Sequence, residues 1–460
     1  MQFIKNYWYI PILGMIFITG VIFTKTLNFI QIKKMPKALK LLLKQNDTTN
    51  KISPFASLCM SLSATIGTGN IIGVATSISL GGVGSLFWLI IFSVIGLAVK
   101  YAEGFLAIKY RKEKNNELLG GPFIYIEEGL GKKYKPLAVI FSVCTILAAL
   151  IGIGTMTQSN GIVDSVNIIF NKFNINYYIY IFNQKINIIS VTCGIILCFI
   201  TSKIIFKSTT SIAKLCEYIV PFMALIYIGS CLMIITTHLS ILPNVLKLII
   251  SEAFMPKSMI VGTTCYTFFF QIINGAKKGI FANEAGLGST PIALSTASQT
   301  NPISQGLISM AGMFITTIIC ILTGIVVIIT DSYTKGLDGI NITNDAFVNG
   351  LCFNETFSSI ILFLCITFFG FTSIIGWCVY GVKALTYLTN KQIIIKIYMY
   401  LYLIMVFLGT ILKVNLIWNL ADIFNALMAI PNLIALLLLR KKIKQETLLG
   451  DKNENRKCSN

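Results

Sequence analysis

The chain has 460 residues, 55% of them hydrophobic and 12% charged, against roughly 25% charged in a soluble globular domain. That balance excludes a disordered or fibrous chain and argues against a soluble one. The formal net charge of +19, from 37 Lys and Arg against 18 Asp and Glu, would point to nucleic acid in a soluble protein, so its meaning depends on where the charges sit.

A helix needs about 20 apolar residues to cross a bilayer. In chain order such runs fall at 7–24, 56–80, 84–108, 136–160, 187–206, 215–236, 257–282, 303–330, 356–388, 392–412 and 418–439. These predict an all-α polytopic membrane protein of about eleven spans, because an open sheet cannot satisfy its backbone in lipid. The first run follows Lys5 as a signal peptide would, but no small-residue cleavage site follows it, so an uncleaved span is expected.

The connections carry the charge. Lys25, Lys33, Lys34, Lys37, Lys40, Lys44 and Lys51 follow the first span, and Lys109, Arg111, Lys112, Lys114, Lys132, Lys133 and Lys135 the third. Lys203, Lys207 and Lys214 lie between the fifth and sixth, and Lys277 and Lys278 close the seventh as anchors. Arg440, Lys441, Lys442 and Lys444 follow the last. The segment 331–355 is instead acidic, with Asp331, Asp338, Asp345 and Glu355 against Lys335. This alternation predicts a cell-membrane protein with its N-terminus outside and C-terminus cytoplasmic, and makes the basic balance topological, with no nucleic-acid partner. No obligate protein partner is evident. The tail 445–460 is polar and is assigned no fold.

Without the first span, ten remain, as five (56–236) and five (257–439). An odd-numbered unit repeated once runs in opposite directions, the inverted-repeat logic of secondary transporters. The whole chain reads as one transporter domain.

Several chemistries have no residues to support them. The 12 Cys are scattered, mostly in apolar runs, without ligand spacing, and read as small buried hydrophobes. His238 is the only histidine, which leaves little room for a zinc site or a Ser-His-Asp triad. A Walker-type phosphate loop is absent.

The stretch 61–82, SLSATIGTGNIIGVATSISLGG, puts Gly67, Thr68, Gly69 and Asn70 near the middle of an apolar span. Gly costs about 1 kcal/mol relative to Ala in a helix interior. A Gly-x-Gly at membrane depth lets the helix unwind, freeing carbonyls for a cation and N–H groups for a carboxylate. Asn70 adds a neutral amide oxygen suited to sodium. The competing reading is close packing of small residues, since Gly69 and Gly73 form a GxxxG.

The segment 257–274, with Gly262, Thr263 and Thr264, reads as a second broken helix, and GAKKGIFANEAGLGSTP (275–291) as a cytoplasmic connection. In TFFGFTSIIGWCVYG (367–381), Ser373 and Trp377 are four apart and share a helix face, with Thr372 beside them. Hydroxyls there would serve a cation and the indole would wall the substrate; aromatic packing with hydroxyls bonded back to the helix is the alternative. Gln158, in IGTMTQSN, is either a ligand or interhelical glue. Glu103, Glu217 and Asp422 lie near span ends, whereas neutral oxygens cluster at Thr68, Asn70, Thr372 and Ser373, which favours sodium over protons as the coupling ion.

Together these stretches resemble the alanine or glycine:cation symporter family of bacteria and archaea. The resemblance runs from SLSATIGTGNIIGVATSISLGG and VKYAEGFLAIKYR through GGPFIYIEEGLG, IGTMTQSN and EYIVPFMALIYI to FANEAGLGSTP and LADIFNALMAIPNLIALLLL, nearly the whole chain. It implies a LeuT-type 5+5 inverted repeat behind one extra N-terminal helix, and sodium-coupled uptake of a small neutral amino acid such as alanine, glycine or serine, with no enzymatic step. Carried over by residue, the family's substrate and ion region matches Thr68, Gly69, Asn70, Gln158, Ser373 and Trp377; with the reading of the residues themselves, the expected substrate contacts are Gly67, Thr68, Gly69, Gln158, Gly262, Thr263 and Trp377, and the expected sodium contacts Asn70, Thr372 and Ser373. Two departures stand out: Val261-Gly262-Thr263-Thr264-Cys265 replaces a Gly-Gly-Phe-x-Gly-like run, which bears on substrate size, and Val382 replaces the Glu that commonly follows Tyr-Gly. Against the symporter stand a channel, which would need a ring or filter of repeated ligands, an intramembrane enzyme, and a structural partner protein.

Overall fold

The computed structural model describes residues 10–43, 52–114, 117–175, 177–181, 184–254, 263–412 and 414–458. Among these residues the chain is helical almost throughout, with two short antiparallel hairpins in its connections, Lys112–Lys114 with Glu117–Leu119 and Tyr178–Ile181 with Gln184–Asn187. An extra helix, α1 (Ile10–Thr26), comes first. The next span is broken. Its first half, α2 (Pro54–Thr65), starts on Ser53, whose hydroxyl accepts from the Ala56 N–H at 2.9 Å, with Pro54 as its first residue. Its second half, a π turn over Gly69–Gly73 leading into α3 (Val74–Gly81), lies at 54° to the first.

There follow α4 (Gly84–Lys109), α5 (Pro122–Leu130), α6 (Lys135–Ile151), α7 (Met156–Lys172), α8 (Ile188–Ile205), α9 (Thr209–Thr237) and α10 (Leu242–Phe254). A second broken element then opens with α11 (Thr263–Phe281), crosses an irregular stretch at 282–289 and resumes as α12 (Thr290–Leu294). The remaining helices are α13 (Pro302–Ile329), α14 (Ile340–Gly350), α15 (Glu355–Leu388), α16 (Gln392–Gly409) and α17 (Val414–Cys458).

Among the described residues, eight helices are long and apolar enough to cross a membrane, or nine with the bent pair counted as one span. The expected eleven is compatible with this: α1 has 17 residues, and α11 carries Lys277 and Lys278. The expected fourth span, 136–160, is a longer one interrupted between Ile151 and Met156. After α1 the chain therefore has two broken elements, one at Pro54–Gly81 and one around 282–289.

Burial sorts the bundle. The apolar windows of α4, α13 and α15 are 61%, 67% and 61% buried, while those of α8 and α16 are 28% buried and present Ile195, Phe199, Ile393 and Tyr400 outward, as lipid-facing helices do. Helix α4 packs along both α13 and α11, next to the two breaks. The tail is a correction to the sequence reading. Helix α17 continues to Cys458, with Ile443 and Thr447 buried, Glu446 paired to Lys109, and the Thr447 hydroxyl 2.9 Å from that of Tyr101.

Candidate functional site

The first break is built from its own backbone. Ile66 turns to an extended conformation after α2, and the Gly67 N–H donates to Asn70 Oδ1 at 3.1 Å. The Thr68 N–H donates to Gln158 Oε1 at 3.0 Å, while Gln158 Nε2 donates to the Ile153 carbonyl at the interruption between α6 and α7. Gln158 thus lies in the first turn of α7, with its amide on the break. The Thr68 hydroxyl is buried with no partner among the described residues, and a Cβ on Gly69 would meet no atom within 4 Å. Gly67 is the opposite case: a Cβ there would stand 2.8 Å from both Gln158 Oε1 and Ser373 Oγ.

Helix α15 closes the other side. Ser373 Oγ lies 2.9 Å from the Ser63 carbonyl, 3.2 Å from that of Ile66 and 3.5 Å from that of Ala64. One hydroxyl has one proton, so Ser373 and the three carbonyl oxygens have more acceptors than hydrogens even with the Trp377 indole N–H on Ala64, the oxygen set a hard cation takes. Trp377, fully buried, donates Nε1–H to the Ala64 carbonyl at 3.3 Å and packs edge-on against Tyr380. Thr372 does not join this group; its hydroxyl donates to the Phe368 carbonyl at 2.9 Å and lies against Met223.

The second break is where the sequence reading needs correction. The chain unwinds at 282–289, whereas 263–274 is continuous helix as far as it is described; Gly262 lies outside the described residues. Thr263 heads α11, about 27 Å of helix from the break, so the structure does not bring it to Gly67–Asn70. FANEAGLGSTP is buried at the bundle centre and is no surface connection. Glu284, Gly286 and Gly288 have φ of 51°, 77° and 79°, left-handed values that the glycines adopt freely and a glutamate adopts at a cost of about 1–2 kcal/mol. The Glu284 carboxylate offsets it by accepting from Ser289 Oγ at 2.5 Å, with Thr290 Oγ1 at 3.5 Å. Glu103 Oε1 accepts from the Gly288 N–H at 3.0 Å and from Asn432 Nδ2 at 2.7 Å, and Lys100 donates to Thr290 Oγ1. Glu103 is therefore buried inside the bundle, six residues before the end of α4. Asn70 Nδ2 joins the two breaks, donating to the Ala282 carbonyl at 3.2 Å.

Sequence reasoning missed Lys100, Glu284 and Asn432. A signal for two of them was present: Lys100 and Glu103 stand one turn apart within an apolar run, where charges need a partner.

A cavity of about 860 Å³ opens beside the first break, lined by Gly73, Asn160, Asp164, Lys278, Asp338 and Asp422 among others. Lys277 and Lys278, expected as anchors, line this cavity, and Lys277 pairs with Asp422 of α17. A second cavity of about 370 Å³, at the end of the bundle marked by the 112–119 hairpin, is lined by Arg111, Glu117, Thr296 and Lys383 and does not reach the break. Arg111 grips the Ala297 carbonyl there, and the buried Lys383 pairs with Glu117 at 2.5 Å.

Comparison with known proteins agrees with this architecture. A family model described as "Sodium:alanine symporter family" matches residues 1–457. The sodium/alanine symporter AgcS of Methanococcus maripaludis is 37% identical over 441 residues, covering 93% of this chain and 91% of that protein. The probable sodium/glutamine symporter GlnT of Bacillus subtilis is 35% identical, covering 92% and 84%. Among solved structures, that of MhsT in complex with L-phenylalanine has a TM-score of 0.57 at 12% identity, covering 85% of this chain and 90% of that one, a likeness of LeuT-type fold.

Proposed function

This chain belongs to the sodium:alanine symporter family, a family of membrane transporters and not of enzymes, and from that premise we propose that it imports a small neutral amino acid together with sodium by alternating access. Alanine, glycine or serine is the proposed substrate. The observation that carries the reading is the convergence of the Ser63, Ala64 and Ile66 carbonyls on Ser373 Oγ, a neutral-oxygen cluster at a helix break. Sodium takes these oxygens, with Asn70 Oδ1 as a further ligand reached when the amide leaves the Gly67 N–H. Thr372 contributes only if its hydroxyl leaves Phe368.

The amino acid sits by Gly69, where the backbone faces open space, with its carboxylate on the Thr68 N–H in place of Gln158 Oε1. No charged side chain adjoins Thr68 or Gly69 among the contacts described, which supports a zwitterion with a neutral side chain. Trp377 packs behind α2 with its indole N–H on the Ala64 carbonyl, and Gly67 faces Gln158 and Ser373. The larger cavity reaches residues one turn from the break while the other stops short, which supports an outward-facing state. The protein then lies in the cell membrane with its N-terminus outside and its C-terminus cytoplasmic, the Lys-rich segments at the end closed by Arg111 and Lys383.

The test is uptake into proteoliposomes. Labelled alanine accumulates under an inward sodium gradient and exchanges in counterflow, whereas a channel gives no counterflow. Uptake driven equally well by a pH gradient without sodium, or a competition panel of the twenty amino acids dominated by Lys or Glu, overturns the assignment. The probable glutamine symporter among its relatives makes glutamine the first competitor to include.

A further inference from the structure

The second break carries a buried charge that is not balanced. Lys100, Glu103 and Glu284 are 2%, 0% and 1% exposed. Two carboxylates face one ammonium, leaving a net charge of −1 in the membrane interior, where an uncompensated charge costs several kcal/mol. The two carboxylates differ in their partners. Glu103 Oε1 accepts two amide N–H bonds, from Gly288 and Asn432, which can only donate and so hold the ionised form. Glu284 Oε2 is met only by hydroxyls, of Ser289 and Thr290, which accept as readily as they donate. Each carboxylate also has one buried oxygen with no hydrogen-bond partner among the described residues, Glu103 Oε2 and Glu284 Oε1, so the two differ in their partnered oxygens alone; beside Glu284, Thr65 gives its one hydroxyl proton to the Ser61 carbonyl at 3.0 Å. Lys100 reaches Glu284 only through the Thr290 hydroxyl.

We propose that Glu284 is a proton-binding site, that the proton balances the Lys100–Glu103–Glu284 cluster, and that sodium arriving at the first break displaces it. Glu284 lies two residues from Ala282, whose carbonyl holds the amide of Asn70, so a sodium ion on Asn70 brings a positive charge against the same segment. The proton leaves Glu284 Oε1 for water, the carboxylate remains, and the cluster regains its balancing cation as sodium. The other ionisable groups facing the cluster are Tyr125 from α5, which donates to Asn432, and Tyr380 from α15. Around Lys100 and Thr290, α2 brings Ser61 and Thr65 and α13 brings Ser309 and Thr316, all neutral, and α17 brings Asn432 to Glu103. The inference rests on the sodium site proposed above.

The experiment is sodium binding to the purified full-length protein in weak buffer with a pH-indicator dye, with heat of binding recorded in parallel and potassium as control. Sodium should release up to one proton per chain, and the half-saturating sodium concentration should fall as pH rises, by as much as tenfold per unit. Glu284→Gln should bind sodium with no proton released, while Lys100→Met should move the release to higher pH by at least one unit. Heat of sodium binding without proton release between pH 5 and 9, or release undiminished in Glu284→Gln, overturns the proposal. Absence of any heat or dye signal overturns the sodium site itself. Should Glu284→Gln fail to fold, the wild-type profile and Lys100→Met decide the matter.

Discussion

The side-chain amide of Asn70 donates to the carbonyl of Ala282 at 3.2 Å, joining two helix breaks separated by 212 residues of chain. Its oxygen meanwhile accepts from the Gly67 N–H at 3.1 Å, and its own carbonyl accepts from Thr323 Oγ1 at 3.1 Å. One residue therefore shapes the first break and fixes its distance from the second.

Asn70 separates the ion role from the stapling role. Asn70→Ala leaves the Gly67 N–H and the Ala282 carbonyl unpaired, each costing about 1–3 kcal/mol, so thermal stability should fall while insertion persists. The half-activating sodium concentration should rise at least tenfold, about 1.4 kcal/mol. Asn70→Asp keeps the oxygen and loses the donor: it should retain sodium activation and lose stability. If sodium activation of uptake is unchanged in both variants, Asn70 is only a staple.

Ser373→Ala removes the hydroxyl oxygen from the carbonyl cluster without touching the backbone. Sodium activation should weaken by about tenfold, the scale of one lost ligand at roughly 1.4 kcal/mol, and Ser373→Thr should restore most of it. Thr372→Ala should have a much smaller effect, because its hydroxyl is bonded within α15. Equal losses in the two alanine variants would move the ion site.

Gly67→Ala places a methyl group 2.8 Å from Gln158 Oε1 and Ser373 Oγ. Both side chains must shift, so alanine affinity and sodium activation should fall together, a pairing that initial-rate uptake at varied sodium and alanine reads directly. Gly69→Ala meets no atom of the protein and should impair substrate affinity with the sodium response retained.

Asp345 gives a pH-dependent contribution from outside the spans. Burial works to raise its carboxyl, but hydrogen bonds from Lys335 and Ser332 and the Lys335 charge outweigh that and hold it below the ordinary range. A carboxyl depressed in the folded state stabilises above its unfolded value and loses that contribution as pH falls through the folded one. Asp345→Asn should therefore lower stability by no more than about 1 kcal/mol near neutral pH, the scale of a partly exposed pair, and the difference from wild type in thermal unfolding should vanish toward pH 3.

The spans and the first break were legible in the sequence for local reasons. Long apolar runs have one low-energy conformation in lipid, and Gly67 and Gly69 inside such a run have no packing need that also explains Thr68 and Asn70. The second break was misplaced because Gly262 and Thr263 look like helix-breakers in isolation, whereas Thr263 begins an unbroken helix. The true break, around Glu284, reads as a polar surface loop until its partners are known. Glu103 comes from α4 and Asn432 from α17, and only their convergence satisfies the N–H of Gly288 and the carbonyl of Gly286 inside the bundle.

The same division holds at each site. Composition and the length of the apolar runs determined that this chain crosses a membrane many times, since burial of backbone in lipid depends on runs of neighbouring residues. Which oxygens meet was decided by tertiary structure alone. Ser373 finds the Ser63 and Ile66 carbonyls 310 and 307 residues away, and Lys277, expected as an anchor, is the partner of Asp422. A ligand cluster is a property of distance in space, and the folding of α15 and α17 against the breaks sets those distances.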